Sequence, residues 1–136
     1  RISTPDAKFG VPIARTLGNC LSAGNVAWLV AHLGINIVKR MLLLAELIPA
    51  SQLLQQGYLL ATYEQADLAK EADALANKLS VLAPITQKSS KLTLARLLRN
   101  QLPDCADLIS ETYGSADFRN GVASFLKGEP PVWTGK

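Results

Sequence analysis

The stretch MLLLAELIPASQLLQQGYLLAT, residues 41–62, decides the fold expected for this chain. An apolar run of helical length ends at Ile48 and Pro49, and a short amphipathic helix follows. Gly57 closes that second helix before a β-prone segment over residues 58–60. The stretch is therefore predicted to form helix, stop, helix, glycine and strand.

The composition is that of one globular domain. The chain has 136 residues, of which 49% are hydrophobic and 18% charged, a balance outside the disordered range. Its formal charge of +3 is spread along the chain and forms no basic stripe interleaved with aromatic residues. We therefore expect a solvated, mildly basic surface and no nucleic-acid partner.

The sequence gives no sign of membrane insertion or export. His32 and Glu46 interrupt the two apolar runs before either reaches the roughly 18 residues of a membrane span. No basic and apolar leader precedes them, so a cytoplasmic protein is predicted. Cys20 and Cys105 lie far apart without a CxxC motif, which favours free buried thiols over a disulfide or metal site. The start at Arg1 suggests a truncated, processed or re-cloned chain.

Helix signals flank the central stretch. Ser22 is predicted to cap a helix that ends at Gly34, and a further helix is predicted over residues 36–47. Trp28 and His32 lie four residues apart on the first of these helices and are expected to meet. A packed or surface pair is favoured over a catalytic role for His32.

Four more helices are predicted in the second half. Residues 64–82 have leucines and an alanine at helical spacing and an acidic first half. Pro84 opens a helix to about residue 101, Asp104 can cap one that ends at Tyr113, and Ser115 caps the last. The apolar face predicted for this last helix consists of Phe118, Val122, Phe125 and Leu126.

These elements, in this order, resemble the C-terminal part of enoyl-CoA hydratase/isomerase (crotonase) family proteins. The central stretch follows the family pattern "LTGxxIxAxEAxxxGLVxxV", with Ala45 and Glu46 in place of its threonine and first glycine. Ala83, Pro84 and Lys91 match the helix "xSPxAxxxxKxxL". The C-terminal segment is similar to "SxDxxEGxxAFLEKRxPxFxGR" at Ser115, Asp117, Gly121, Ala123, Phe125, Leu126, Pro131, Trp133 and Gly135.

The resemblance implies a mainly α fold with short β strands, namely the C-terminal helical half of a crotonase-like (ClpP/crotonase) α/β superhelix. Residues 1–62 are expected to form the end of the core, with strand, loop, helices and a short strand. Residues 63–136 are expected to form a helical trimerisation region. In family members a preceding N-terminal region holds the oxyanion-hole N–H groups and the first catalytic carboxylate, so the chain is expected to be a partial domain.

The first twelve residues, RISTPDAKFGVP, are predicted to be extended, with a turn at residues 4–6 and a strand at residues 8–11. They resemble the family segment "RxAxxxAxFGxPE", in which a catalytic carboxylate directly follows the proline. Ile13 stands at that position. No catalytic residue is therefore assigned to this chain, and Pro12 and Ile13 are implied to contact substrate.

A second loop and the last helix complete the implied site. The loop resembles "LGxxPGxGG", which lines the acyl pocket, with Leu21 and Ser22 at the proline and the glycine after it. Phe125 matches an aromatic residue near the coenzyme A site, and Lys127 is a displaced substitute for a family lysine that falls at Gly128. A solvated surface lysine is the alternative for Lys127. The implied substrate-binding residues are Pro12, Ile13, Leu21, Ser22, Phe125 and Lys127.

The resemblance implies enolate chemistry on an acyl-CoA thioester, either hydration of a 2-enoyl-CoA or double-bond migration, in fatty acid metabolism. The thioester is the substrate, and no bound cofactor or metal is expected. Ile13 makes a relative with one acid or a different base a better expectation than a two-carboxylate hydratase. Expected partners are acyl-CoA, a homotrimer or dimer of trimers, and an N-terminal segment of the same protein. The alternative is a non-catalytic truncated module for oligomerisation or ligand binding.

Overall fold

A computed structural model describes residues 1–99 and 106–136. This part of the chain is mainly helical with very short strands, as predicted. Its elements in chain order are β1 (Ile2–Ser3), β2 (Lys8–Phe9), α1 (Ile13–Thr16), α2 (Ala23–Leu33), α3 (Ile35–Leu43), β3 (Ile48–Pro49), α4 (Ala50–Gln55), β4 (Ala61–Thr62), α5 (Leu68–Ser80), α6 (Pro84–Arg99), α7 (Ala106–Gly114) and α8 (Ala116–Lys127). The predicted cap Asp104 and the thiol of Cys105 lie outside the described residues.

The described residues form two compact units, and the first contains residues 1–9 and 48–99. In it β1 pairs in parallel with β4, and β2 pairs antiparallel with β3. The Ala50 N–H donates to the Ala7 carbonyl over 2.9 Å, which ties α4 to the turn before β2. The buried apolar residues of this unit are Ile48, Ala50, Leu53 and Leu59.

The strand predicted at residues 58–60 lies instead at Ala61–Thr62. The N–H groups of Tyr58 and Leu59 both donate to the Leu53 carbonyl, at 3.0 and 3.2 Å, so these residues still close the end of α4. Contact with the first strand begins where the Leu60 N–H donates to the Arg1 carbonyl over 2.8 Å. The strand therefore begins later than predicted, because residues 58 and 59 are still hydrogen-bonded to the end of α4.

Helix α5 starts later than predicted, and parts of the predicted apolar faces of α5 and α6 are exposed. Residues 64–67 form a turn, in which the Asp67 N–H donates to the Glu64 carbonyl over 2.9 Å, so α5 begins at Leu68. Pro84 is the first residue of α6, as predicted. On the predicted apolar faces, Leu79, Leu82 and Leu92 are 46–50% exposed, whereas Leu68, Leu75 and Leu98 are half-buried.

The second unit contains residues 10–47 and 106–136. Helix α3 packs against α1 and α2, and α7 packs against α8. Gly34, at a φ of 75°, connects α2 to α3, which confirms the predicted helix end. The buried apolar residues of this unit are Leu33, Ile37, Val38, Met41 and Ala45.

Helix α3 ends at Leu43, four residues before its predicted end. The N–H groups of Leu44 and Glu46 both donate to the Arg40 carbonyl, and Ala45 between them has a φ of 50°. The Glu46 carboxylate returns to the Arg40 guanidinium in a bidentate pair, with 2.8 Å between Nε and Oε2. This hydrogen bonding lowers the pKa of Glu46. The helix thus ends at these backbone bonds and at the positive φ of Ala45, and the ion pair, which apolar periodicity does not report, spans the turn.

Candidate functional site

The first two predicted substrate-binding residues lie at the start of α1. The Pro12 carbonyl accepts hydrogen bonds from the N–H groups of Arg15 and Thr16, at 3.0 and 3.1 Å, and from the Thr16 hydroxyl at 3.0 Å. Ile13 is the first helical residue and is half-buried. Its side chain is a hydrocarbon, so it can line an apolar pocket but cannot transfer a proton.

The loop of residues 18–22 connects α1 to α2 and contains the next two predicted residues. Leu21 is half-buried, and Ser22 is exposed and caps α2, with the Asn25 N–H 3.4 Å from its Oγ. The buried Oδ1 of Asn19 accepts no hydrogen bond within residues 1–99 and 106–136. Cys20 is a free cysteine and is half-buried, not buried as predicted.

Phe125 and Lys127 lie in the last turn of α8, and both are exposed. Gly128 ends the helix in the left-handed conformation, with a φ of 70°, and its N–H donates to the Phe125 carbonyl over 3.2 Å. The Phe125 ring is 64% exposed. The two side chains are thus available to a ligand.

Helix α8 approaches the end of α1 at Gly121, for which no role was predicted from the sequence. A Cβ built on Gly121 would lie 2.4 Å from the Leu17 carbonyl oxygen, so only glycine fits there. Phe125 lies one turn beyond this contact, at roughly 6 Å along the helix axis. The structure therefore brings the two elements together through Leu17 and Gly121. A glycine inside a helical pattern is the signal that could have identified this contact.

The C-terminal tail also reaches this contact. A Cβ on Gly18, which has a φ of 66°, would lie 2.9 Å from Cζ3 of Trp133, and one on Gly121 would lie 3.1 Å from Cη2 of the same indole. The Asp117 carboxylate accepts hydrogen bonds from the Thr134 N–H and hydroxyl, at 2.6 and 2.7 Å, and from the Gly135 N–H at 2.8 Å. The tail is thereby held against the start of α8.

A cleft of about 490 Å³ lies beside this tail. None of the six predicted substrate-binding residues lines it. It contains two carboxylates, Glu111 and Asp117, and the second is already engaged by the tail. The lining residues are Ala14, Gly18, Glu111, Thr112, Gly114, Ser115, Asp117, Trp133, Gly135 and Lys136.

The Asp117 carboxylate should give the tail a pH-dependent attachment. The hydrogen bonds from the Thr134 N–H and hydroxyl and from the Gly135 N–H lower its pKa below the ordinary 3.8. Because the folded-state pKa is depressed, the stabilisation is complete above pH 3.8 and is lost as the pH falls through the folded-state value. Trp133 fluorescence in a Trp28→Phe background is expected to report tail release in this acid range.

The control for this titration is the same background with Asp117→Asn. It should show no transition of the Trp133 signal at acid pH, because the tail then has no ionising partner at this position. Far-UV circular dichroism at each pH separates tail release from unfolding. A transition of equal size in both proteins would contradict the assignment to Asp117.

Trp28 and His32 stack as predicted, with 4.2 Å between the ring centroids. The His32 Nδ1 lies 2.7 Å from the Trp28 carbonyl oxygen, in the donor position if this nitrogen is protonated. His32 is ten residues after Ser22 on the same helix, or roughly 15 Å along its axis. This separation places it away from the loop of residues 18–22 and agrees with a packed pair.

The described residues contain neither a cluster of metal-binding side chains nor a membrane-spanning helix. No group of three or more His, Cys, Asp or Glu side chains lies close enough to hold a metal ion in residues 1–99 and 106–136. None of the helices within the same residues has the combined length and hydropathy of a membrane span.

Comparison with known proteins gives one consistent family. Residues 1–136 match the model of the enoyl-CoA hydratase/isomerase family. The chain is 26% identical over 131 residues to a short-chain-enoyl-CoA hydratase of Clostridium acetobutylicum, covering 93% of this chain and 50% of that protein. It is 32% identical over 139 residues to a probable enoyl-CoA hydratase of Rhodobacter capsulatus, covering 99% and 54%. The chain thus spans about half the length of these curated relatives.

The fold is similar to that of a solved structure, methylmalonyl-CoA decarboxylase in complex with 2-nitronate-propionyl-CoA. The TM-score is 0.89 at 23% sequence identity, and the match covers 99% of this chain and 54% of that one. The likeness shows the fold, the helical half of a crotonase-type protein, as predicted.

Proposed function

The chain belongs to the enoyl-CoA hydratase/isomerase family, and from that premise we propose that it is the C-terminal part of a protein acting on acyl-CoA thioesters. The reaction class is enolate chemistry, hydration or isomerisation. The observation that supports this most directly is the family match over residues 1–136, combined with coverage of about half of each relative. The other half would supply the donors that stabilise an enolate.

The first contribution of this segment is part of the acyl pocket. Helices α1 and α2 both pack against α3. Pro12 and Ile13 lie at the start of α1, and Leu21 and Ser22 directly precede α2. A hydrocarbon at Ile13 offers apolar surface to an acyl chain and provides no acid or base there. The catalytic base therefore comes from another residue.

The second contribution is contact with coenzyme A. The exposed Phe125 ring offers a flat apolar surface at the end of α8, and the Lys127 ammonium two residues on can attract a phosphate as a point charge. The substrate enters as a coenzyme A thioester, and the segment needs no bound cofactor for this role.

The third contribution is assembly. In the described part of residues 63–136, large apolar side chains remain exposed, with Val81 and Ile85 at 81% and 80%. Such surfaces mark protein interfaces. We therefore propose that residues 1–62 end the core and that residues 63–136 form a homotrimer or dimer of trimers. A cytoplasmic location and a role in fatty acid metabolism belong to the same proposal.

A non-catalytic module for oligomerisation or ligand binding is the second candidate. The observation that favours it is Ile13, which stands where the family pattern has a carboxylate. In this candidate the exposed Phe125 and the apolar helix surfaces serve binding and association alone.

The test of the proposed function is turnover of a 2-enoyl-CoA by the purified protein and by its Phe125→Ala variant. If Phe125 contacts coenzyme A in both ground and transition states, the variant should raise KM roughly three- to tenfold and leave kcat unchanged. Leu126→Ala, in the same helical turn and 80% exposed, is the matched control and should keep the parent KM.

Three results would change the assignment. Coenzyme A binding without turnover would favour the ligand-binding module. The absence of both would contradict the proposed function and leave only the oligomerisation form of the second candidate. An equal change of KM in Phe125→Ala and Leu126→Ala would remove Phe125 from the coenzyme A site while leaving the reaction class in place.

A further inference from the structure

The loop of residues 18–22 contains a buried acceptor at Asn19 and a left-handed glycine at residue 18. The buried Asn19 Oδ1 accepts no hydrogen bond in the described part of the chain, and an unsatisfied buried acceptor destabilises the folded state. Gly18 is in the left-handed region, with a φ of 66°. Contacts of the loop with other residues must offset the cost at Asn19, whereas glycine adopts the left-handed region freely.

The contacts at Gly18 come from Asp117 and from the last eight residues of the chain, 129–136, which we call the strap. Its Trp133 indole lies beside Gly18 and Gly121 at once. The indole is 39% exposed, whereas the neighbouring Val132 is 73% exposed. Trp133 therefore contacts Gly18, the first residue of the loop.

The strap is anchored through one residue of α8. The Asp117 carboxylate binds Thr134 and Gly135, and the Asp117 N–H donates to the Lys136 carbonyl over 3.1 Å. The carboxylate and the backbone N–H of Asp117 therefore hold the three residues that follow Trp133, residues 134–136. This arrangement sets the position of the indole.

We propose that the strap positions the loop of residues 18–22 for the ligand, with Trp133 and Asp117 as positioning residues. The inference rests on the proposed function for its ligand, because that function assigns Leu21 and Ser22 to the acyl pocket. In this proposal the strap affects ligand binding through the position of the loop. The strap itself does not contact the thioester.

Hydrogen exchange of the full chain tests the strap without any ligand. Trp133→Ala should speed exchange of the backbone amides of residues 19–22 roughly tenfold or more, because local opening of the loop becomes easier. Amides of α3 should exchange as in the parent. Val132→Ala, one residue away on the strap, is the control and should leave the loop unchanged.

Kinetics test the consequence for binding. Trp133→Ala and Asp117→Asn should each raise KM for a 2-enoyl-CoA roughly threefold or more and change kcat less, and Trp133→Phe should restore most of the loss. Unchanged loop exchange in Trp133→Ala would overturn the proposal. Faster exchange throughout α2 and α3 would also overturn it, because the role would then be general stability. If the parent protein neither binds nor converts CoA thioesters, the proposed function fails, while the exchange result still decides whether the strap orders the loop.

Discussion

Gly121→Val is expected to destabilise the second unit by about 3 kcal/mol or more, because a side chain at this position overlaps the backbone of α1. Even a methyl group would lie 2.4 Å from the Leu17 carbonyl oxygen and 2.7 Å from its carbon. Neither atom can rotate away as a flexible side chain could. Helix α8 would have to move, and the Trp133 contact would move with it.

Chemical denaturation measures this effect, with the midpoint and the slope compared between variant and parent. Gly114→Val is the matched control, because Gly114 ends α7 and a Cβ there meets nothing within 4 Å. Its free energy of unfolding should stay within about 0.5 kcal/mol of the parent value. Equal stability of the two variants would show that α8 does not approach Leu17 so closely.

Local signals in the sequence predicted the helix ends correctly where one side chain or one glycine decides them. Ser22 and Ser115 both cap helices, the second with the Phe118 N–H 3.0 Å from its Oγ. Gly34 ends α2. Each of these depends on residues within one turn of the boundary, which a single sequence displays.

Boundaries that depend on longer-range bonds were wrong. The turn at residues 44–46, which the ion pair between Arg40 and Glu46 spans, ends α3 early. Backbone hydrogen bonds to the Leu53 carbonyl precede β4, which starts later than predicted. The four-residue helix α1 was not predicted, because Pro12 was assigned to the end of a strand. Periodicity gives the apolar face of a helix and cannot say whether the same chain covers it, as the exposed Phe125 illustrates.

The candidate site was only partly accessible to sequence reasoning. The six substrate-binding residues came from a family resemblance, and their roles stay predictions. The contact that organises their surroundings involves Leu17, Gly121 and Trp133, which are far apart in the sequence. No local pattern states that an indole near the C-terminus packs beside a glycine at residue 18, so this contact required the structure.

Leu53→Ala is expected to have a similarly large effect in the first unit, a loss of about 2–5 kcal/mol of unfolding free energy. Leu53 has no exposed surface and lies on α4 among the buried residues of that unit. Truncation removes buried hydrocarbon and leaves a cavity. The backbone bonds from Tyr58 and Leu59 to its carbonyl do not depend on the side chain, so the loss should come from packing alone.

A substitution at the neighbouring Leu54 distinguishes the loss of packing from the change in helix propensity. It is 37% exposed on the same helix, and Leu54→Ala makes the same chemical change with little cavity formation, so its cost should be about 1 kcal/mol or less. Thermal and denaturant unfolding of both variants measure the difference. If Leu54→Ala were as destabilising as Leu53→Ala, the buried face of α4 would be assigned to the wrong residues. A large difference would confirm that α4 packs Leu53, and not Leu54, into the core of the first unit.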